Sequence, residues 1–456
     1  MDTLCLTGGQ VLHPDGRVRA GDVVVDRDDG TILAVGTDED GGDAAVGSVD
    51  SVTGDIDVAA AVDDATEVLD ATNGLVIPGL VNAHTHVSMT LLRGYADDKP
   101  LDAWLREDIW PVEAALTDDD IAVGAELGVL EMIRSGTTAF ADMYFAMDRV
   151  AAVVERAGVR ARLGRGVVTV TKSDAEAAAD VDESLSFATS FDGAADGRIR
   201  TAFMPHSLTT VDESHLREGI EQATAAGVPV HLHANETRDE VDPIVDERGE
   251  RPLAYADSVG ALGSDAFVAH CVHVDDSEIG LLAETDTAAV HCPASNMKLA
   301  SGMAPVQRLH EAGVTVALGT DGAASNNDLD LFDEMRDAAM VGKLAAGDAS
   351  AVPAEAVVEM ATAAGADALG LPGGRIAPGA AADLAVVDLG AAHLTPVHDP
   401  VSQLVYAARG SDVRHTVCDG QVLMRDREVL TLDAESIRER AAAAAADLVD
   451  RAAAGE

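Results

Sequence analysis

The run Pro78-Gly79-Leu80-Val81-Asn82-Ala83-His84-Thr85-His86 places two imidazoles two positions apart at the end of an apolar, strand-like stretch. On a strand successive side chains alternate faces, so His84 and His86 point the same way and can grip one metal ion. Three later segments share this build, an apolar run closed by His, Glu or Asp. They are residues 228–236 with His231, His233 and Glu236, residues 267–273 with His270, and residues 314–322 with Asp321. Two histidines, a third from another strand and one carboxylate suit Zn²⁺ or another borderline divalent ion (Fe²⁺, Mn²⁺ or Co²⁺), with a coordination position left for water. His231 and His233 face the same side, so spacing alone leaves the third ligand open between them. An ion held this way lowers the pKa of its water toward about 7, which makes hydroxide available at neutral pH.

Parallel barrel strands deliver side chains in this manner, at the C-terminal rim of the barrel. Across residues 75–372, apolar runs alternate with helical stretches such as 121–135 and 329–343, the rhythm of an α/β fold and specifically of a (β/α)8 TIM-like barrel. Residues 1–36 alternate short Val/Leu/Ile runs with turns at Pro14-Asp15-Gly16 and Asp28-Asp29-Gly30, which predicts a small antiparallel unit. Strand-like runs return at 383–388, 413–418 and 421–425, the last two around an Asp419-Gly420 turn. These predict a small β-sandwich domain built from both chain ends, residues 1–74 and 373–432. Residues 38–67, rich in Asp, Gly, Ala and Val, read as a mobile acidic surface insertion inside it. The Ala-rich tail, 433–456, reads as a helix.

The net charge of −49, with a pI near 4.3 and only four lysines (Lys99, Lys172, Lys298, Lys343), argues against nucleic acid and membrane partners, because such a surface repels phosphate backbones and anionic lipid. It fits a salt-rich cytoplasm, where at molar ionic strength the Debye length falls to about 3 Å and self-repulsion is suppressed. The cysteines Cys5, Cys271, Cys292 and Cys418 are scattered, with no C-x-x-C spacing, which predicts packing residues and no disulfide framework. No basic leader and no apolar run of spanning length is present, so a soluble cytoplasmic protein is expected, as a homo-oligomer.

With the segments Ser88-Met89-Thr90-Leu91-Leu92-Arg93-Gly94, Ser135-Gly136-Thr137-Thr138, Pro293-Ala294-Ser295-Asn296-Met297-Lys298-Leu299 and Gly319-Thr320-Asp321-Gly322-Ala323-Ala324-Ser325-Asn326-Asn327, the chain resembles the metal-dependent amidohydrolase superfamily over nearly its whole length. Within it the chain is most similar to the 5-methylthioadenosine/S-adenosylhomocysteine deaminases, which include 5'-deoxyadenosine deaminases. The resemblance implies hydrolytic deamination of the adenine ring of a small-molecule nucleoside. It implies His84, His86, His233 and Asp321 as metal ligands, with Glu236, three residues beyond His233, deciding for His233 and leaving His231 as an interior packing residue. Glu236 would shuttle protons to the ring nitrogen and the leaving amine. Asp321 would also accept the attacking water's proton, and His270 would orient that water and polarise the tetrahedral centre.

The same resemblance assigns Glu113 to the ribose hydroxyls, since a carboxylate accepting two hydrogen bonds suits a diol. It assigns His206 to the ribose or 5'-substituent and Arg165 to a substrate-facing role. Trp104 and Trp110 are candidates to wall the pocket. Residues 169–179 depart from the family pattern: Lys172 stands there and no second arginine, so a bidentate grip on a homocysteine carboxylate is missing. This shifts the expectation toward 5'-methylthioadenosine or 5'-deoxyadenosine. The rival readings are a related deaminase or chlorohydrolase acting on guanine, cytosine or a triazine, and a non-catalytic metal-binding protein of the same fold.

Overall fold

The computed structural model describes residues 2–36, 58–170 and 172–455. Among them, eight successive strand positions run in parallel around a ring: Leu80–Thr85, Thr137–Tyr144, Arg160–Val167, the split pair Ile199–Thr201 and Met204–Pro205, His231–Ala234, Phe267–His270, Ala288–His291 and Val316–Leu318. The first four and the last four positions form two arcs. Bridges Phe203 to Val230 and Ser207 to His233 join them on one side. On the other, Asp321 N donates to His84 O at 3.0 Å, and the Asn82 amide exchanges hydrogen bonds with Thr320 at 2.8 and 2.9 Å. Gly319 is required at this seam, because a Cβ there would lie 2.8 Å from the Cβ and N of His84.

Ala139, Ala141, Ala202, Ala288 and Ala317 form one contact cluster with Val81, Phe267 and Val290. Side chains from strands around the whole ring meet only through its interior, so the barrel is filled, as (β/α)8 barrels are. Helices alternate with the strands. Asp118–Arg134 begins three residues before the expected start because Thr117 and Asp120 form a capping box. Leu331–Ala346 begins two residues late, since Asp330 accepts from Phe332 N and so caps it.

The chain ends build a nine-stranded sheet in which Gly74–Pro78 pairs antiparallel with Leu384–Asp388. Period-two alternation splits its faces: Leu75 and Ile77 join the main core, while Val76 joins a second cluster with Leu4, Ile32 and Val422. That cluster draws on strands far apart in the sheet, so the sheet folds over on itself as a sandwich does. The buried Arg160 ties it to the barrel, with its guanidinium 2.8 Å from Asp383 and 2.6 Å from Asp419.

Of the expected acidic insertion, residues 38–57 lie outside the described residues. Residues 58–67 depart from the expectation: Val58–Asp63 is a helix whose Val58 packs with Cys5, Val24 and Ala34, and Glu67–Asp70 pairs parallel with Thr3–Leu12. Val58, Ala61 and Val62 give that short segment an apolar helical face, a periodicity too brief to stand out among alanines. No helix of the described residues is long and apolar enough to cross a membrane.

Candidate active site

His84, His86, His233 and Asp321 converge at the C-terminal rim, each offering a ligand atom within 4.8 Å of the others. Asp321 Oδ1 lies 3.4 Å from His84 Nε2 and 3.2 Å from His86 Nε2, and His86 and His233 face each other Nε2 to Nε2 at 3.3 Å. The far side of each ring is anchored. His86 Nδ1 lies 2.6 Å from the Met143 carbonyl oxygen and His233 Nδ1 2.6 Å from that of His206. Carbonyls only accept, so both rings carry hydrogen on Nδ1 and turn Nε2 inward. His84 Nε2 is buried without a hydrogen-bond partner.

Electrostatics make the same demand. Burial holds His84 down to about 4 and keeps its ring neutral, whereas for His86 the hydrogen bond and charge of Asp321 overcome burial and lift it to about 9, so that its Nε2 carries a proton that a bound cation would displace. Asp321, though buried, is held well below the usual carboxylate range by the His84 and His86 rings that face it. Its other oxygen accepts from Ser295 Oγ at 2.6 Å and Ser325 Oγ at 2.7 Å. Three inward-facing Nε2 atoms, one of them buried without a partner, and an ionised carboxylate together call for a cation, and this N3O donor set fits a borderline divalent ion.

Glu236 Oε2 sits 3.7 Å from His270 Nε2, and Glu236 Oε1 accepts from Ser301 Oγ at 3.2 Å. Burial raises the Glu236 pKa. His270 Nδ1 is held by Asn296 Oδ1 at 3.0 Å. The backbone here is strained: Asn235, His270 and Asp321 have φ of 56°, 75° and 62°, left-handed values that non-glycine residues adopt only where surroundings impose them. Beyond these residues opens a chamber of about 530 Å³, lined by His86, His233, Glu236, His270 and Asp321 at one end and Trp104, Trp110 and Val170 toward the other.

The amidohydrolase family model matches residues 75–423. The chain belongs to the amidohydrolase family. Its relatives include the 5-methylthioadenosine/S-adenosylhomocysteine deaminase of Haloarcula marismortui, 64% identical over 452 residues covering 99% of this chain and 100% of the relative. They also include the 5'-deoxyadenosine deaminase of Methanothermobacter thermautotrophicus, 47% identical over 447 residues with 98% and 99% covered. Among solved structures, an adenosine deaminase from Xanthomonas campestris with bound zinc superposes with a TM-score of 0.87 at 36% identity, covering 98% of each chain.

In this amidohydrolase, Glu113 lines the chamber and accepts from Tyr144 Oη at 2.6 Å, which leaves its second oxygen open; burial raises its pKa. His206 also lines the chamber, with Nδ1 3.0 Å from Thr210 Oγ1, and burial lowers it to about 4. Arg165 is not brought there. Its guanidinium is taken up by Asp180 and by Glu183 at 2.9 Å, and it lines a neighbouring surface cavity that Glu113 also borders. Lys172 does line the chamber, with its amine 2.6 Å from Asp180.

Cys271 and Cys292 are buried and stand outside the ligand cluster. His231 is interior, as expected, yet it does more than pack: its Nε2 meets His84 Nδ1 at 2.9 Å. Ser295, Asn296 and Ser325 lie within the motif runs of the sequence, but their types alone do not reveal that they hold Asp321 and His270. Their only signal was that small polar residues stand in the segments that follow Ala288–His291 and Val316–Leu318.

Proposed function

We propose that this chain hydrolytically deaminates the adenine C6 amine of 5'-substituted adenosines, 5'-methylthioadenosine, 5'-deoxyadenosine and S-adenosylhomocysteine, giving the inosine analogue and ammonia. Zn²⁺ is the proposed resident ion, on His84, His86, His233 and Asp321. When bound, it supplies an acidified water near neutral pH.

The observation that carries the reading is the convergence of His84, His86, His233 and Asp321, with ligand atoms within 4.8 Å of one another, beside the paired Glu236 and His270. Asp321 is held ionised by its histidines, whereas burial lets Glu236 keep a proton closer to neutrality. Two carboxyls pushed apart in this way divide acid from base work. Asp321 accepts the proton of the attacking water. Glu236 gives its proton to the ring nitrogen, regains one from the C6 hydroxyl as the carbonyl forms and passes it to the leaving amine; the proton held by Asp321 then restores Glu236 for the next turnover. His270 orients the water through Nε2, while Asn296 fixes its other nitrogen. Glu113, with one oxygen on Tyr144, offers the other to the ribose diol, and His206 contacts the sugar or its 5'-substituent. The relatives' names supply the substrate class, and the acidic surface supports a cytoplasmic enzyme that avoids nucleic acid.

The test follows the adenine-to-hypoxanthine absorbance change with adenosine, 5'-deoxyadenosine, 5'-methylthioadenosine and S-adenosylhomocysteine in high KCl with added Zn²⁺. Turnover of the 5'-substituted nucleosides is expected. Turnover of guanine or cytosine, with none of these nucleosides, would transfer the assignment to the other ring-hydrolysing branch.

A further inference from the structure

The three histidines at the metal end are not held alike. His86 and His233 are anchored by backbone carbonyls, which no side-chain substitution removes. His84 Nδ1 instead meets another imidazole, His231, at 2.9 Å. His231 Nδ1 lies 2.8 Å from the Phe267 carbonyl oxygen, and its ring stacks on Phe267 with centroids 4.1 Å apart and planes 14° apart. Because the carbonyl can only accept, the hydrogen of His231 sits on Nδ1. Neutral His231 therefore presents a lone pair at Nε2, and His84 must carry its own hydrogen on Nδ1 to meet it. Direction is thus passed from a backbone oxygen through two fully buried rings, and it ends at His84 Nε2, which has no hydrogen-bond partner and lies 3.4 Å from Asp321 Oδ1.

We infer that His231 is a positioning residue that fixes the tautomer and ring orientation of His84, so that Nε2 faces the shared centre as a ready ligand. The inference rests on the reading that a divalent ion occupies that centre. His231 takes no part in coordination, since both its nitrogens are spent. Without it, nothing holds the hydrogen of His84 on Nδ1. The ring can then take the Nε2–H form, donate to Asp321 Oδ1 and occupy the position an ion needs. Partners that orient a ligand in this way are typically worth about 10- to 100-fold in metal affinity.

The experiment titrates Zn²⁺ calorimetrically into metal-free full-length chain in high KCl, for wild type, His231→Phe and His231→Gln. Phenylalanine keeps the stack on Phe267 and removes the acceptor; glutamine keeps an acceptor within reach of His84. The expected result is a 10- to 100-fold loss of Zn²⁺ affinity in His231→Phe, with His231→Gln recovering much of it. Wild-type affinity in His231→Phe, or equal losses in both variants, overturns the inference while leaving the deaminase reading standing. A wild-type chain that binds no divalent ion overturns both. Should the phenylalanine variant not fold, the ¹⁵N-histidine spectrum of metal-free wild type decides. His84 and His231 are both expected as Nδ1–H tautomers, and an Nε2–H signal for His84 refutes the assignment.

Discussion

At the inner end of the chamber, side chains leave the ends of strands whose register is set by neighbours on both sides, as His233 is by Ala269 on one and Ser207 on the other. At the outer end, Val168, Val170 and Lys172 come from the segment after Arg160–Val167, where Val170 is largely exposed and Lys172 leans on Asp180. The inner end has redundancy: backbone carbonyls fix two rings, two serines hold one Asp321 oxygen, and left-handed strand ends aim Asn235, His270 and Asp321. The outer end depends on one carboxylate, Asp180, shared by two cations. Chemistry is placed where geometry is over-determined, and selectivity where a few charges decide. Substitutions inside should therefore break turnover, and substitutions outside should redistribute it among substrates.

The largest effect is expected for Glu236→Gln. The variant keeps the size of the side chain and an oxygen for Ser301, but it cannot pass a proton. Loss of a positioned acid or base costs about 10²- to 10⁴-fold, so kcat should fall by that much while zinc content stays at wild-type stoichiometry. Steady-state rates beside metal analysis check it. Normal turnover would move proton transfer to another group, and lost zinc would make Glu236 a structural support of the metal end.

Removing the ion probes the same end through stability. A ligand that binds the folded state alone at 1,000 times its Kd stabilises by about 4 kcal/mol. Chelation should therefore lower the thermal midpoint and abolish activity, and Zn²⁺ should restore both. The same treatment of an Asp321→Asn variant should shift the midpoint little, because its ligand set is already broken. An unchanged midpoint in chelated wild type would separate the metal end from fold stability.

The two ends also differ in what the sequence disclosed. His84, His86, His233 and Asp321 stood at the ends of apolar runs, and strand alternation forces such residues toward one another whatever the loops do. The barrel and the returning strands were legible for the same reason, since periodicity is a local property. The hydrogen-bond partners were not. Met143 and His206 act on the ligands through carbonyl oxygens that every residue has, so no residue type marks them. Arg165 shows the limit on the outer side. An arginine one strand position from the rim can turn inward or outward, and here the carboxylates of Asp180 and Glu183, 15 and 18 positions along the chain, draw it away from the chamber.

Asp180→Asn sharpens the comparison at the outer end. Lys172 is the only lysine or arginine lining the chamber among the described residues, and Asp180 occupies its amine. A 5'-substituent bearing a carboxylate finds no unspent cation there, so the wild type should favour short neutral 5'-substituents. Asparagine frees most of that charge. The ratio of kcat/KM for S-adenosylhomocysteine over 5'-methylthioadenosine should then rise by about three- to fivefold, the modest size reflecting the screening of a partly exposed amine. An equal change for both substrates would show that Asp180 only supports the loop.

The smallest effect concerns Glu240, whose Oε2 accepts from Glu236 N at 2.9 Å behind the inner end. Burial, reinforced by the charge of Glu236, raises its pKa from 4.5 to about 8. The folded chain thus holds a proton on Glu240 over a range in which the unfolded chain has released it. Stability must fall as pH rises from about 4.5 to 8, because the folded state binds more protons throughout that window. Glu240→Gln keeps the acceptor for Glu236 N and abolishes the titration. Its thermal midpoint should therefore decline less than that of the wild type between pH 6 and pH 9. Parallel declines would mean that Glu240 ionises at no cost, with water reaching its unpartnered Oε1, and the inner end would be less dry than its carboxyls require.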